Sequence, residues 1–445
     1  MKRLKRVLAC LAALILCLSA AGCGLAGAED LYSLPRIADT YQKLQTAVDA
    51  FLERGAQYSS PTAGSHRQAV QLEDLDGDGL KEAVAFFKLD GEDEPLQICV
   101  FRAVEGEYEQ AVLIGGEGTV FDRVAYADLD GDGIMEILAG YQISAEIKTL
   151  CVYRIRDDRP ETLFTTGYTQ FAATDLTGDG RTDAMVVRMN AASATGEAEA
   201  FTVGADGEVS SSRASLSLGT ESLSRLRVTK LAGGENAVLT ECAYHSTGVV
   251  TDLFVWNSGG LRNLTADDSA GVSGTARSYS VYSADIDGDS VVEIPWPEPM
   301  AVQNDGMSYY RLWWYAYGAL GQRFLRAVTY HNYSDGWYFE LEPGWADRVT
   351  VRRQDAVSGE RAVIFSVTDA EGNVLYDYLS VSVLTGDNRE ELAEEPGRLM
   401  LAEEGGAVYT AQLLYDGDGF GGDLDPGTVQ TRFHFIYSDW ETGEY

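Results

Sequence analysis

Four times the sequence writes nearly the same acidic nonapeptide: DLDGDGLKE at 74–82, DLDGDGIME at 128–136, DLTGDGRTD at 175–183 and DIDGDSVVE at 285–293. Acidic side chains stand at positions 1, 3, 5 and 9 of a glycine-rich turn in three of the four copies. Carboxylates brought to one point repel strongly unless a cation sits among them. The pattern therefore constrains both the local backbone, which must reverse sharply at its glycines, and the chemistry at the turn.

In the first copy Asp74, Asp76, Asp78 and Glu82 supply side-chain oxygens, and the backbone carbonyl of Leu80 is placed to join them. The matching sets are Asp128, Asp130, Asp132, Ile134 and Glu136; Asp175, Thr177, Asp179, Arg181 and Asp183; and Asp285, Asp287, Asp289, Val291 and Glu293. Thr177 takes the place of an aspartate and weakens the third set, and Ser290 takes the place of a turn glycine in the fourth. Oxygen-only ligands on a flexible loop favour Ca²⁺ over Mg²⁺, which keeps its waters and a tighter octahedron. No histidine or cysteine lies in any copy, which argues against zinc or copper. The competing reading is an acidic turn that holds no metal.

An EF-hand begins in the same way but closes with a glutamate at position 12 between two helices. Here position 12 is Ala85, Ala139, Val186 and Trp296. The flanks, such as QAVQLED before the first loop and AVAFF after it, are short, β-branched and aromatic, and predict strands. Each loop is thus expected at the tip of a β-hairpin.

The similarity runs beyond the loops. ICVFR after the first and LCVYR after the second align Cys99 with Cys151, Phe101 with Tyr153 and Arg102 with Arg154. The copies begin at 74, 128, 175 and 285, so the last interval is about twice the others. VTKLAGGENAVLTECAY at 228–244 has a strand-turn-strand shape without the acids and fills the gap with a decayed unit. This gives five units of about four strands between 64 and 329, the size of propeller blades.

The motif D-x-D-G-D-G-x-x-[DE] between two strands resembles the FG-GAP or VCBS repeat, a family that includes the Ca²⁺-binding blades of integrin α-chain propellers. The resemblance implies a mainly β fold: a β-propeller-like array of four-stranded blades, closed or open, with Ca²⁺ in hairpin loops at one rim. It implies no single activity, because such repeats occur in adhesins, lectin-like proteins and appendages of enzymes.

Residues 1–22 carry Lys2, Arg3, Lys5 and Arg6 ahead of an apolar stretch too short to span a bilayer comfortably. Ala20-Ala21-Gly22-Cys23 resembles a bacterial lipobox, with Ala where Leu is usual, and makes Cys23 the lipid acceptor. Two acyl chains there suffice for stable attachment to a membrane. Ordinary secretion with cleavage after Ala28 is the alternative. Of the remaining cysteines, Cys99, Cys151 and Cys242 are odd in number, lack motif spacing and read as buried small hydrophobes.

The chain has 69 acidic and 34 basic residues and a formal charge of −35; loss of the four leader bases makes the mature chain more acidic still. Such a balance repels nucleic acid, and no basic patch offsets it. Residues 23–63 read as a tether with a helix, the latter from the apolar spacing of Ile37, Tyr41, Leu44, Val48 and Leu52 with Gly55 as its stop. Residues 330–445 read as an α+β domain, with strands at RVTVRRQ, ERAVIFSVT, LYDYLSVSVL, RLMLAEE, AVYTAQLLY and VQTRFHFIY and a short helix near 388–395. This region loosely resembles PsbP-like domains on bacterial lipoproteins; the alternative is that its strands supply further blades. DGDGFGGDLD at 416–425 differs in spacing from the repeat.

No G-x-S-x-G elbow, H-E-x-x-H or P-loop is present. His331 with Ser334 and Asp335 could be drawn as a hydrolytic set, and Tyr309, Tyr310, Trp313, Trp314, Tyr315 and Tyr317 could stack on sugars or form the two faces of a strand. The expectation is a non-enzymatic, lipid-anchored, extracytoplasmic Ca²⁺-binding protein that meets a protein or carbohydrate ligand at the cell surface. A cell-envelope hydrolase with its site in the C-terminal domain, or a purely structural envelope module, are the alternatives.

Overall fold

The computed structural model describes residues 39–436 apart from 105–106, 246–247, 267–272, 279, 303–306, 356–358 and 416–423, with the side chains of 39–42 and 107 also left out. The expected leader, the lipid acceptor Cys23, the alternative cleavage point at Ala28, the first residues of the predicted helix and most of the 416–425 run lie outside the described residues. The helix α1 spans Asp39–Leu52, and Gly55 follows in the left-handed region at φ +93°. No described helix is long and apolar enough to cross a membrane.

The described chain is mainly β, with six antiparallel sheets. The first holds β1 (Gln57–Tyr58), β2 (Val70–Glu73), β3 (Glu82–Lys88), β4 (Leu96–Val104) and β5 (Glu107–Gly116). The second holds β6 (Val120–Ala127), β7 (Glu136–Gln142), β8 (Lys148–Arg156) and β9 (Arg159–Gly167). The third holds β10 (Gln170–Thr174), β11 (Asp183–Asn190), β12 (Thr195–Val203) and β13 (Val209–Ser215). The fourth, the decayed unit, holds β14 (Thr220–Lys230), β15 (Asn236–Tyr244), β16 (Gly248–Asn257) and β17 (Gly260–Asn263). The fifth begins with β18 (Ile294–Pro299), β19 (Tyr310–Tyr317), β20 (Arg323–Asn332) and β21 (Trp337–Glu340). The sixth holds β22 (Val349–Asp355), β23 (Glu360–Thr368), β24 (Val374–Leu384), β25 (Arg398–Glu404) and β26 (Ala407–Leu413), with the short helix α2 (Arg389–Ala393) beside it. A second short helix, α3 (Pro426–Arg432), leads into β27 (Phe433–Phe435), which returns to pair with β21.

Two sequence expectations are corrected here. VQTRFHFIY does not run as one strand: Val429–Arg432 belong to α3. Asp425 caps that helix by accepting from the Thr428 N–H at 2.9 Å, and Pro426 occupies its first turn. The boundary expected at 329/330 falls inside β20, and β21 and β27 from beyond it complete the fifth sheet.

The inner strands read as continuous apolar runs because the first five sheets are packed on both faces. In β3 and β7 all residues but the last are buried, and in β15 six of nine are, whereas β9 and β13 are largely exposed. Val84, Phe86 and Ile98 meet Phe121, Ile137 and Tyr141 between the first two sheets. Leu138 and Val152 meet Phe171 and Val186 at the next seam. Met185 and Val187 meet Val238 and Phe254 at the third, and Leu239 and Leu253 meet Ile294 at the fourth. Tyr330, Trp337 and Phe339 join the fifth sheet to Phe365 and Leu379 of the sixth. Leu44, Val48 and Phe51 of α1 cover the remaining face of the first sheet over Ala83, Ala85 and Phe87. The result is a serial stack in which each sheet buries the face of its neighbour.

Candidate metal centres

Each acidic nonapeptide is a hairpin tip. Glu73 pairs with Glu82, Ala127 with Glu136, Thr174 with Asp183 and Ala284 with Glu293. The position-9 carboxylate turns back under the loop and accepts from the N–H of the apolar residue at position 2. These bonds are Leu75 to Glu82 at 2.9 Å, Leu129 to Glu136 at 2.7 Å, Leu176 to Asp183 at 2.9 Å and Ile286 to Glu293 at 3.0 Å. The first aspartate accepts from the N–H at position 6: Gly79 to Asp74, Gly133 to Asp128, Gly180 to Asp175 and Ser290 to Asp285, at 2.9–3.0 Å. Position 6 must adopt positive φ, and Gly79 sits at +86°. Ser290 does the same at +71°, a conformation costing a residue with a Cβ about 1–2 kcal/mol, yet its N–H bond is retained.

Three loops gather three acidic groups whose ligand atoms all lie within 4.8 Å of one another: Asp74, Asp76 and Asp78; Asp128, Asp130 and Glu136; Asp285, Asp287 and Asp289. The third loop gathers no such trio among the described residues. There Arg181 folds back on Asp179, its Nε at 3.1 Å from Oδ2, and Asp183 accepts from both Leu176 and Thr177 N–H.

In each of these three loops one buried carboxylate oxygen is left over. Glu136 and Glu293 are fully buried, and their Oε1 atoms have no hydrogen-bond partner; Asp74 Oδ1 is likewise buried and unpartnered. Burial, with the nearby aspartates adding to it, pushes the Glu136 carboxyl up to about 7 and the Glu293 carboxyl up to about 8. Burial raises Glu82 and Asp183 in the same direction. A divalent cation in the loop would satisfy the stranded oxygens and hold these groups ionised. The donor set, carboxylates and loop carbonyls without nitrogen or sulfur, suits a hard ion such as Ca²⁺.

Several of the loop aspartates have protein counter-ions that no local pattern announces. Arg102 Nε lies 3.7 Å from Asp76, Arg154 Nη1 lies 3.1 Å from Asp130, and Arg156 Nη2 reaches Asp130 and Asp132 at 3.2 and 3.3 Å. Arg326 Nη2 lies 3.5 Å from Asp289. In the decayed unit the turn is shorter, and Lys230 precedes a buried Leu231 as the first aspartates precede Leu75 and Leu129. Its ammonium donates to the Gly234 carbonyl and to Asn236 Oδ1, both at 3.3 Å.

Successive tips are also tied together along one rim. Met135 N–H donates to the Leu75 carbonyl at 2.7 Å, Thr182 N–H to the Asp128 carbonyl at 3.2 Å, and Asn236 Nδ2 to the Asp175 carbonyl at 2.8 Å. Val292 N–H donates to Thr229 Oγ1 at 3.0 Å. The order within one tip thus bears on the next.

Two clefts open at seams between sheets. One of about 650 Å³ lies beside the first loop and includes Asp76, Glu82, Arg102, Arg156, Asp157 and Asp158. The other, about 540 Å³, lies between the fourth and fifth sheets. The aromatic run is mixed in exposure: Trp314 is fully buried and donates to Thr329 Oγ1 at 2.8 Å, while Trp313, Tyr315 and Tyr317 are half-buried. His331 is buried in a ring stack with Trp314 and Tyr338, and burial lowers it to about 3. Asp335 accepts from Arg361 Nε at 2.7 Å and from Asn332 Nδ2 at 3.0 Å. Cys99 and Cys242 are buried and unpaired by disulfides, Cys151 is half-buried, and burial pushes the Cys99 thiol up to about 12.

No known family model matches the sequence, and no curated protein does. Among solved structures the chain is similar to the rhamnogalacturonan lyase YesW, with 13% identity, a TM-score of 0.33 and coverage of 80% of this chain and 72% of that one. It is similar to a PL11 rhamnogalacturonan lyase of Bacillus licheniformis at 12% identity and TM-score 0.32, and to the exotype lyase YesX at 12% and 0.29, with the same coverages. Overlaps this loose assign this chain neither a fold nor an activity.

Proposed function

We propose that this chain is a calcium-stabilised, non-enzymatic stack of FG-GAP/VCBS-like β-sheets, held outside the cytoplasm by lipid on Cys23, that presents its inter-sheet surfaces to a protein or glycan. The observation that carries the calcium reading is the pair of fully buried glutamates, Glu136 and Glu293, each with one unpartnered oxygen and each at the close of an aspartate-rich loop. An ionised carboxylate stranded in this way costs roughly several kcal/mol unless a cation meets it. Ca²⁺ would neutralise the tips and fix the hairpins that the next sheet packs against; it would carry out no bond-making. Folded loops bind the ion and the unfolded chain does not, so binding stabilises by mass action.

The test is a thermal melt of the full mature chain in EDTA, with Ca²⁺ and then Mg²⁺ added back, alongside calorimetric titration. Calcium should raise the melting temperature more than magnesium does. An identical melt with and without calcium would remove the reading. The anchor is tested separately: metabolic labelling with a radiolabelled fatty acid should mark the wild-type protein and leave Cys23→Ser unlabelled.

A further inference from the structure

The cleft between the fourth and fifth sheets differs from its surroundings in charge. The chain has 69 acidic residues against 34 basic ones, yet among the described residues lining this cleft none is acidic and the one charged side chain is Arg323. The cleft beside the first loop, by contrast, has four carboxylates among its lining residues. Trp296, Tyr315 and Tyr317 form the aromatic wall, with Trp296 41% exposed. The Arg323 guanidinium carbon lies 5.2 Å from the centre of the Tyr315 ring. Another wall includes Thr265 and Thr275. Both threonines are buried, and their hydroxyls donate to the Thr251 carbonyl, so that wall is formed in advance. The volume, about 540 Å³, falls within the roughly 300–1,000 Å³ usual for small-ligand sites.

The exposed Trp296 ring in an open cleft suits the C–H face of a pyranose ring. A guanidinium with no acidic neighbour among the described lining residues suits a carboxylate, which it can hold through two parallel hydrogen bonds. The remaining surface of so acidic a chain repels anions, so an anionic ligand would be directed to this position. We propose that the cleft binds a carboxylate-bearing sugar, a hexuronate unit of a glycan, with the ring on Trp296 and the carboxylate on Arg323. This rests on the surface-binding reading above and narrows it to one ligand class and one place.

The experiment is a titration of the full mature chain, in constant Ca²⁺, with trisaccharides of mannuronate, glucuronate and galacturonate, and with cellotriose as the neutral control. The readouts are tryptophan fluorescence and calorimetry. At least one uronide should bind at least tenfold more tightly than cellotriose. Arg323→Gln should reduce that preference at least tenfold, Arg323→Lys should restore part of it, and Trp296→Ala should weaken binding of the acidic sugar. Both side chains are exposed, and a wild-type calcium-dependent melt for each variant establishes that it folds. Binding of neutral glycans alone, unaffected by Trp296→Ala, would overturn the proposal and leave the wider surface-binding reading in place. Equal uronide binding by wild type and Arg323→Gln would overturn it as well, since the sugar's own affinity for calcium would then explain the signal. The calcium melt, which does not involve this cleft, decides the stabilisation reading independently.

Discussion

The second and third loops begin with the same frame and meet their charge in different ways. Asp128, Asp130 and Glu136 close to within 4.8 Å of one another and leave Glu136 Oε1 buried without a partner. In the third loop Thr177 replaces an aspartate, Arg181 turns onto Asp179, and both N–H groups beneath the loop converge on Asp183. The fourth unit goes one step further and places the Lys230 ammonium at its turn. A hairpin tip rich in carboxylates needs positive charge, but the need can be met by a solvent ion or by a side chain of the protein. The second loop draws on both: Arg154 and Arg156 meet Asp130 and Asp132 from within the protein, while Glu136 Oε1 stays unmet.

Several experiments would break or sharpen this contrast. The largest effect is expected from removing the proposed ions altogether: at about a hundredfold excess over Kd each occupied site contributes about 2.7 kcal/mol, so EDTA should lower the melting temperature by several degrees. Next, Asp128→Asn should remove most of one site's calcium-dependent stabilisation. Asp175→Asn should destabilise equally in calcium and in EDTA, because the third loop satisfies itself. Equal calcium dependence in the two variants would erase the distinction between the loops.

The double variant Thr177→Asp/Arg181→Ala should convert the third loop to the second kind, and calorimetry should then count one more bound Ca²⁺. An unchanged stoichiometry would mean that Arg181 is not what excludes the ion. The smallest effect is expected at Ser290→Gly, which relieves a left-handed serine and should stabilise the chain by about 1 kcal/mol in denaturant titrations. A loss of stability there would show that the serine hydroxyl has a role in the loop beyond its backbone.

Much of this architecture was legible before any coordinates. Loop and flank predict hairpins because a two-residue alternation and glycines at fixed places are short-range constraints. The doubled interval after 175 announces the decayed unit, and β14 and β15 stand there. Cys99 and Cys151 occupy matching places, paired with Ala85 and Ala139 on β3 and β7. The C-terminal region was less readable. Phe433–Phe435 reads as strand from its residues, but its partner is β21, more than ninety positions earlier, and the helix before it depends on a cap at Asp425.

The sequence by itself determined that acidic turns recur at the tips of β-hairpins and that the units between them repeat, because sterics and alternation act over a few neighbouring residues. Only the tertiary structure decided which carboxylates are answered from within the protein. Arg154 and Arg156 reach Asp130 from twenty-four and twenty-six positions away, and Arg326 reaches Asp289 from another strand. Packing of sheet on sheet also buried Glu136 and Glu293 and set Trp296 and Arg323 around one cleft. Burial and the partners of a charge depend on what the fold brings alongside, and a local motif carries no record of that.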